Sequence, residues 1–258
     1  MKKIFIITVL SFFITIAKAD CLGYQTSCVW PCGKLISNHS IVIINTGDSS
    51  YGNAIGSKYK IYLQSTKTKN RILLLVTQVC NGGLNFMQIV LTPSSKLIEG
   101  EEYELIEVDR AKKITKFTGR DFEQQKDVAI KWKAVNRSGN APVWQKQPTL
   151  IRKIYIGYGC GPEVKTIFSF EPIEPIEQLI KTIVKNKRTG IEKTCYLQSS
   201  NGLFELGHNM CWGEFEFTKE SKNDNDEYEV RFNLVDETGN VSIQSDVISF
   251  IQPNGANE

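Results

Sequence analysis

Two segments one hundred positions apart constrain this chain more than any other feature in it. Asp127-Val-Ala-Ile-Lys-Trp-Lys-Ala-Val135 runs into Asn136-Arg-Ser-Gly-Asn140, and Glu227-Tyr-Glu-Val-Arg-Phe-Asn-Leu-Val235 runs into Asp236-Glu-Thr-Gly-Asn240. Each reads as a strand with period-two alternation. In the first, Val128, Ile130, Trp132 and Ala134 share a face opposite Lys131 and Lys133. In the second, Tyr228, Val230, Phe232 and Leu234 oppose Glu229, Arg231 and Asn233. The turn that follows has the form Asn/Asp-x-Ser/Thr-Gly-Asn. Its glycine supplies the positive φ, and its leading Asn or Asp can hydrogen-bond its own backbone. A strand-and-turn unit that occurs twice implies two copies of one all-β domain.

The rest of the chain fits that reading. Short apolar runs at 41–44, 60–63, 72–76 and 87–91 are separated by segments rich in Gly, Ser, Thr and Asn, the spacing of an all-β sandwich. A strand–turn–strand unit is expected over 91–105. A long strand is expected over 143–158, interrupted at Pro148 because proline cannot donate to a central ladder. Three glycines and Pro162 within residues 157–162 mark an interdomain linker. Beyond it, strands are expected at 164–170, 180–184, 193–197, 203–206 and 213–217, with Phe215 and Phe217 inward and Glu214 and Glu216 outward. No amphipathic helix of useful length is present.

The N-terminus reads as an export signal. Lys2 and Lys3 precede a thirteen-residue apolar run over 4–16, and Ala17-Lys-Ala19 offers a cleavage site before Asp20. The run is well short of the roughly 20 residues that span a bilayer, and no later stretch is long enough either. Cys21 follows closely, but Asp20 and Lys18 spoil a lipoprotein pattern. Cleavage would remove three lysines, bringing the 31 Lys+Arg level with the 28 Asp+Glu. The mature chain is then neutral and holds no basic block, so nucleic acid is not an expected partner. The expected division is 1–19 signal peptide, 20–32 cysteine-rich leader, 33–158 first domain and 163–252 second domain. The expected location is the periplasm, the cell surface or the medium.

All seven cysteines follow the cleavage site, and an oxidising compartment favours disulfides. Cys195 and Cys211, sixteen positions apart, are expected to pair. Cys21, Cys28, Cys32 and Cys80 are expected to form two disulfides, with all three pairings open. Cys160 is left as the free thiol, or as the site of an intermolecular bond.

The residues Tyr228-Glu-Val-Arg-Phe-Asn-Leu-Val-Asp-Glu-Thr-Gly-Asn-Val-Ser242 resemble the last strand pair of bacterial immunoglobulin-like and fibronectin-III-like repeats. Leu91-Thr-Pro with Leu97, Gly100 and Tyr103 is similar to a Pro…Leu…Gly…Tyr segment of the same surface repeats. The resemblance implies two tandem immunoglobulin-like antiparallel β-sandwiches. It implies nothing about function, because such sandwiches serve as spacers, adhesins, enzyme appendages and chaperones.

Chemical signals are sparse. His208 and Cys211 form the one His–Cys cluster, which on a sharp reading is a thiolate nucleophile or a shared metal site, and on a plain one a turn beside a disulfide. His39 is the other histidine. Four cysteines without a Cys-x-x-Cys pair make a poor zinc site. Asn223-Asp-Asn-Asp-Glu227 has the acidity of a calcium loop but lacks its turn glycine. Trp30, Trp144 and the tyrosines at 155 and 158 are candidates for stacking on sugars. No G-x-S-x-G, H-E-x-x-H or phosphate loop is present, so neither a catalytic site nor a cofactor is expected. The leading expectation is a non-enzymatic exported protein that binds another protein or a surface glycan. The alternatives are a two-domain periplasmic assembly chaperone with Arg152 and Lys153 as anchors, and a thiol-dependent enzyme using Cys211 or Cys160.

Overall fold

The computed structural model describes residues 29–121, 126–136, 140–158, 161–171, 178–217 and 226–254. The fold is all-β. The N-terminal half contains β1 (Leu35–Ile36), β2 (Val42–Thr46), a single helical turn α1 (Ser49–Ala54), β3 (Lys60–Ser65), β4 (Arg71–Asn81) and β5 (Met87–Pro93). It continues with β6 (Glu102–Val108), β7 (Ile114–Lys116), β8 (Thr118–Asp121), β9 (Lys126–Ala129) and β10 (Lys131–Ala134). The C-terminal half contains β11 (Lys146–Tyr158), β12 (Gly161–Glu171), β13 (Leu179–Asn186), β14 (Glu192–Gln198), β15 (Leu203–His208), β16 (Glu227–Val235) and β17 (Ile248–Ile251).

An eight-stranded sheet runs β1-β10-β6-β3-β4-β5-β2, with β7 beside β6, and β8 and β9 form a separate ribbon. In the C-terminal half a three-stranded sheet, β11-β12-β15, faces a four-stranded one, β14-β13-β16-β17. Each half has its own core. Ile36, Leu63, Ile89, Leu105 and Trp132 anchor the first. The second is aromatic: Phe168 and Phe204 from one sheet meet Phe232 from the other, with centroids 4.9–5.3 Å apart. Burying each such ring is worth roughly 1.5–3 kcal/mol.

The duplicated strands behave differently. In β16, Tyr228, Val230, Phe232 and Leu234 are all buried, as their alternation demands. Its turn also forms as the sequence indicates: Asp236 Oδ1 accepts from the Thr238 and Asn240 amides, and Gly239 sits at φ +86°. The earlier copy divides at Ile130 into β9, which pairs with β8, and β10, which pairs with β6. Trp132 and Ala134 are buried as expected, and the indole of Trp132 donates to the Pro31 carbonyl at 2.8 Å. Residues 213–217 bury Phe215 and Phe217 without forming a strand.

Of the linker expected at 157–162, residues 157, 158, 161 and 162 are strand, and 159–160 lie outside the described residues. β11 and β12 pair from Thr149↔Ser169 through Gly157↔Pro162 to Tyr158↔Gly161. Trp144, Leu150 and Tyr155 pack in the second core. The strand expected to close the first half therefore packs with the core of the second. Pro148 is accommodated by an irregularity in pairing between Lys146 and Thr149.

The halves are locked together along three contacts. At the centre, Cys80, Val90 and Ile43 pack against Leu179, Tyr196 and Val235. There Gln88 Oε1 accepts from the Tyr196 amide at 2.8 Å while Gln88 Nε2 donates to the Tyr196 carbonyl at 2.8 Å. The Tyr196 hydroxyl, its pKa pushed up to about 12 by burial, donates to Gln78 Oε1 at 3.1 Å. At one end the Gly83 amide donates to the Gly213 carbonyl at 2.9 Å, and Phe86 stacks on Trp212. At the other, Ser37 Oγ donates to the Thr238 carbonyl at 2.8 Å and Ser40 Oγ to the Glu237 carbonyl. A Cβ on Gly239 would overlap the His39 carbonyl.

Two outcomes follow from this interface. Gly239→Ala is expected to cost about 2 kcal/mol or more in urea unfolding, through overlap as well as positive φ. Gly190→Ala, at φ +71° with nothing within 4 Å of the added methyl, should cost only about 1 kcal/mol. Gln88→Ala removes the partners of both Tyr196 backbone groups and is expected to cost about 2–4 kcal/mol. It should also speed hydrogen exchange at the Tyr196 amide ahead of the core of either half.

Candidate functional site

β12 and β15 pair with Val164 opposite His208 and Lys165 opposite Gly207. Gly207 adopts φ +141°, and a Cβ there would strike the Val164 carbonyl, so only glycine permits this crossing. The chain then folds back. Asn209 Oδ1 accepts from the Cys211 and Trp212 amides at 2.8 and 2.9 Å, and the Asn209 amide donates to the Trp212 carbonyl. This Asx turn returns Gly213 against the backbone of Gly207 and His208, closer than any side chain would allow. Glu214 is thereby set beside β15, at the wall of a cavity of about 410 Å3.

The cavity is lined by Lys165, Leu197, Phe204, Glu205, His208 and Trp212 as well as Glu214. The Lys165 ammonium is held between Glu163 at 2.9 Å and Glu205 at 2.8 Å. Burial works against its charge, but these two carboxylates outweigh burial and raise its pKa. His208 is buried, and its Nδ1 lies 2.9 Å from the Asn209 carbonyl, an acceptor to which it donates.

Glu214 differs from its neighbours. Burial pushes its carboxyl up to about 7; its own backbone amide and the charge of Lys165 oppose the shift, and Glu205 adds to it. Lys165 acts on it only through its field, since the ammonium is bonded to Glu163 and Glu205. The alternation of Gly213-Glu-Phe-Glu-Phe217 places Glu214 toward solvent, and nothing local in the sequence reveals that β15 and the 207–213 turn close over it.

The cysteines depart from expectation. Cys80 and Cys195 are buried free thiols, whereas Cys32 and Cys211 are disulfide-bonded. The expected Cys195–Cys211 bond is therefore not formed, and Cys80 takes no part in a disulfide. Sixteen positions allowed the first pairing, but Cys195 faces the second core from β14 while Cys211 lies in the turn beyond β15. Burial pushes the Cys80 thiol up to about 11, and burial together with the nearby Glu214 raises that of Cys195 well above its ordinary value. Both are poor nucleophiles. Cys21, Cys28 and Cys160 lie outside the described residues.

Other candidates are also placed. Trp30 and Trp144 are buried, with the Trp144 indole donating to the Ile243 carbonyl at 3.1 Å, and so neither ring is open to a sugar. Tyr158 is exposed. His39 is exposed, and its carbonyl packs beneath Gly239. Of the acidic stretch 223–227, residues 223–225 lie outside the described residues. Asp226 is buried and held by Arg188 through a forked pair at 2.7 and 2.9 Å, and by Asn186. No group of metal-ligating side chains occurs among the described residues. None of the described helices is long and apolar enough to cross a membrane.

No protein-family model and no curated protein matches the chain. Among solved structures, a chain described as "Cytokine receptor complex - Crystal form 1A" aligns at 8% identity with a TM-score of 0.25. The alignment covers 85% of this chain and 94% of that one.

The folded pKa of Glu214 lies above the ordinary 4.5, so the native state holds a proton that the unfolded chain releases between about pH 4.5 and 7. Its contribution to stability is thus fully present below 4.5 and is lost as pH rises through 7. Glu214→Gln is expected to remove this slope and to raise stability at pH 8 by up to about 3 kcal/mol. Urea unfolding at pH 5 and pH 8 measures it.

Proposed function

We propose that the chain is an exported, non-enzymatic binding protein, all-β throughout with an immunoglobulin-like sandwich in its C-terminal half, that engages a protein partner. One observation carries this reading. Val143, Ile243 and Val247 are 57%, 73% and 55% exposed, on two irregular segments that lie side by side. Trp144 bonded to the Ile243 carbonyl, and Gln147 bonded to the Asp246 amide at 3.3 Å, hold those segments together. Large apolar side chains scattered singly over a surface are ordinary, but three on two segments bonded to each other are a candidate docking surface. The interlocked halves favour such a surface, because they limit the ordering entropy that binding would cost.

The burial of Trp30 and Trp144 takes two of the aromatic side chains from the glycan reading and leaves it Tyr158, which is exposed. The chaperone reading needed a donor strand ending the first half, whereas β11 is paired along most of its length with β12 inside the second. The thiol-enzyme reading loses Cys211 to a disulfide. Export rests on the N-terminal residues 1–19, and the immunoglobulin-like assignment on the turn of β16 and the packing of the two C-terminal sheets.

A photo-crosslinking residue at position 243 in the exported protein tests the reading. One discrete adduct is expected with cells that make the protein naturally, abolished by Val247→Asp while unfolding stability stays within about 0.5 kcal/mol. Adducts no more specific than those from a probe at the exposed Glu99 would sink it.

A further inference from the structure

We propose that the cavity between β12, β15 and the 207–214 turn is a binding site for a small alkylammonium, held by the carboxylates of Glu214 and Glu205. The site is separate from the Val143–Ile243–Val247 surface and does not depend on it.

Charge gives the sign of the ligand. Among the described residues, Glu163, Glu205 and Glu214 face one cation, Lys165, whose ammonium is already bonded to the first two. Among the described residues, the Glu214 carboxyl bonds only its own backbone amide and has no cation in contact. β14 contributes the neutral Gln198 on its side, and β15 contributes His208, whose Nδ1 is engaged by the Asn209 carbonyl. A cationic ligand supplies the partner that the fold withholds.

Shape and lining narrow the class. At about 410 Å3 the cavity suits a small molecule rather than a peptide. Leu197, Leu203 and Phe204 offer apolar wall for a methylene chain, and Trp212 offers a ring face to a cation. A metal ion is a poorer fit, since no cluster of three ligating side chains occurs among the described residues. A carboxylate that ionises near neutrality also gates the site: protonated, Glu214 offers nothing to an ammonium.

The test uses putrescine as the probe and the mature full-length chain, by calorimetry and by amide shift mapping. Binding is expected to be about tenfold tighter at pH 8 than at pH 6, following the ionised fraction of one acid titrating near 7. Shifts should centre on Lys165, Glu205 and Trp212. Glu214→Gln should weaken binding at pH 8 at least tenfold and flatten the pH profile, Glu99→Gln should change neither, and 1,4-butanediol should not bind. If Glu214→Gln does not fold, shift mapping and the pH profile of the unaltered protein decide. Absence of binding at pH 8, an affinity independent of pH, or shifts away from these residues would overturn the proposal. A probe that binds while Ile243 crosslinks nothing would leave the site standing and reject the docking surface alone.

Discussion

The side-chain amide of Gln88 caps the open edge of β14, and the arrangement of the two halves hangs on that contact. β14 is the outer strand of its sheet, so the Tyr196 N–H and C=O that point away from β13 have no ladder partner. Gln88 meets both at 2.8 Å, and its Nε2 also reaches Asn45 Oδ1 at 3.2 Å. A backbone edge that would otherwise need water or a foreign strand is thereby satisfied within the chain. Around this polar clasp Val90, Ile43 and Cys80 shed water against Leu179 and Val235. Burial alone would permit sliding, and the paired hydrogen bonds set the register. The two ends of the interface, glycine against glycine at 83 and 213 and serine against the 236–240 turn, then leave little freedom to hinge.

The same economy of close approach builds the cavity. Gly207 and Gly213 bring backbones together where any side chain would collide, and the Asn209 turn returns the chain over a distance too short for a regular hairpin. The consequence is a carboxylic acid at Glu214 that burial keeps from its ordinary acidity and that no cation among the described residues touches. Such a group weakens the fold at neutral pH. A perturbed carboxyl on the wall of a cavity is the kind of group that functional sites use, which is why its surroundings carry the ligand argument.

Much of this was legible in the residues. The alternation of Tyr228, Val230, Phe232 and Leu234 reports one buried face whatever sheet the strand joins, and Asp236 through Asn240 encode their turn in their own side chains. The all-β class followed from short apolar runs broken by turn residues. The strands around 42–46, 60–65, 71–81 and 87–93 lie where those runs are, because β-branched and apolar residues specify an extended, buried backbone locally.

What the sequence could not decide was everything that depends on which edges meet. Gly157 and Pro162 suit a linker and a strand pair equally well; antiparallel pairing of β11 with β12 places them opposite each other in a ladder. Spacing made Cys195 and Cys211 plausible partners, but alternation aims Cys195 into the second core, and disulfides need side chains on one surface. Gln88 reads as the polar interruption of an apolar strand until Tyr196, 108 positions away, arrives at its amide. The sequence by itself determined strand, face and turn, because these arise from each residue's own backbone and its neighbours. The tertiary structure alone decided the interface, the state of the thiols and the acidity of Glu214, because desolvation and edge pairing come from residues far away along the chain.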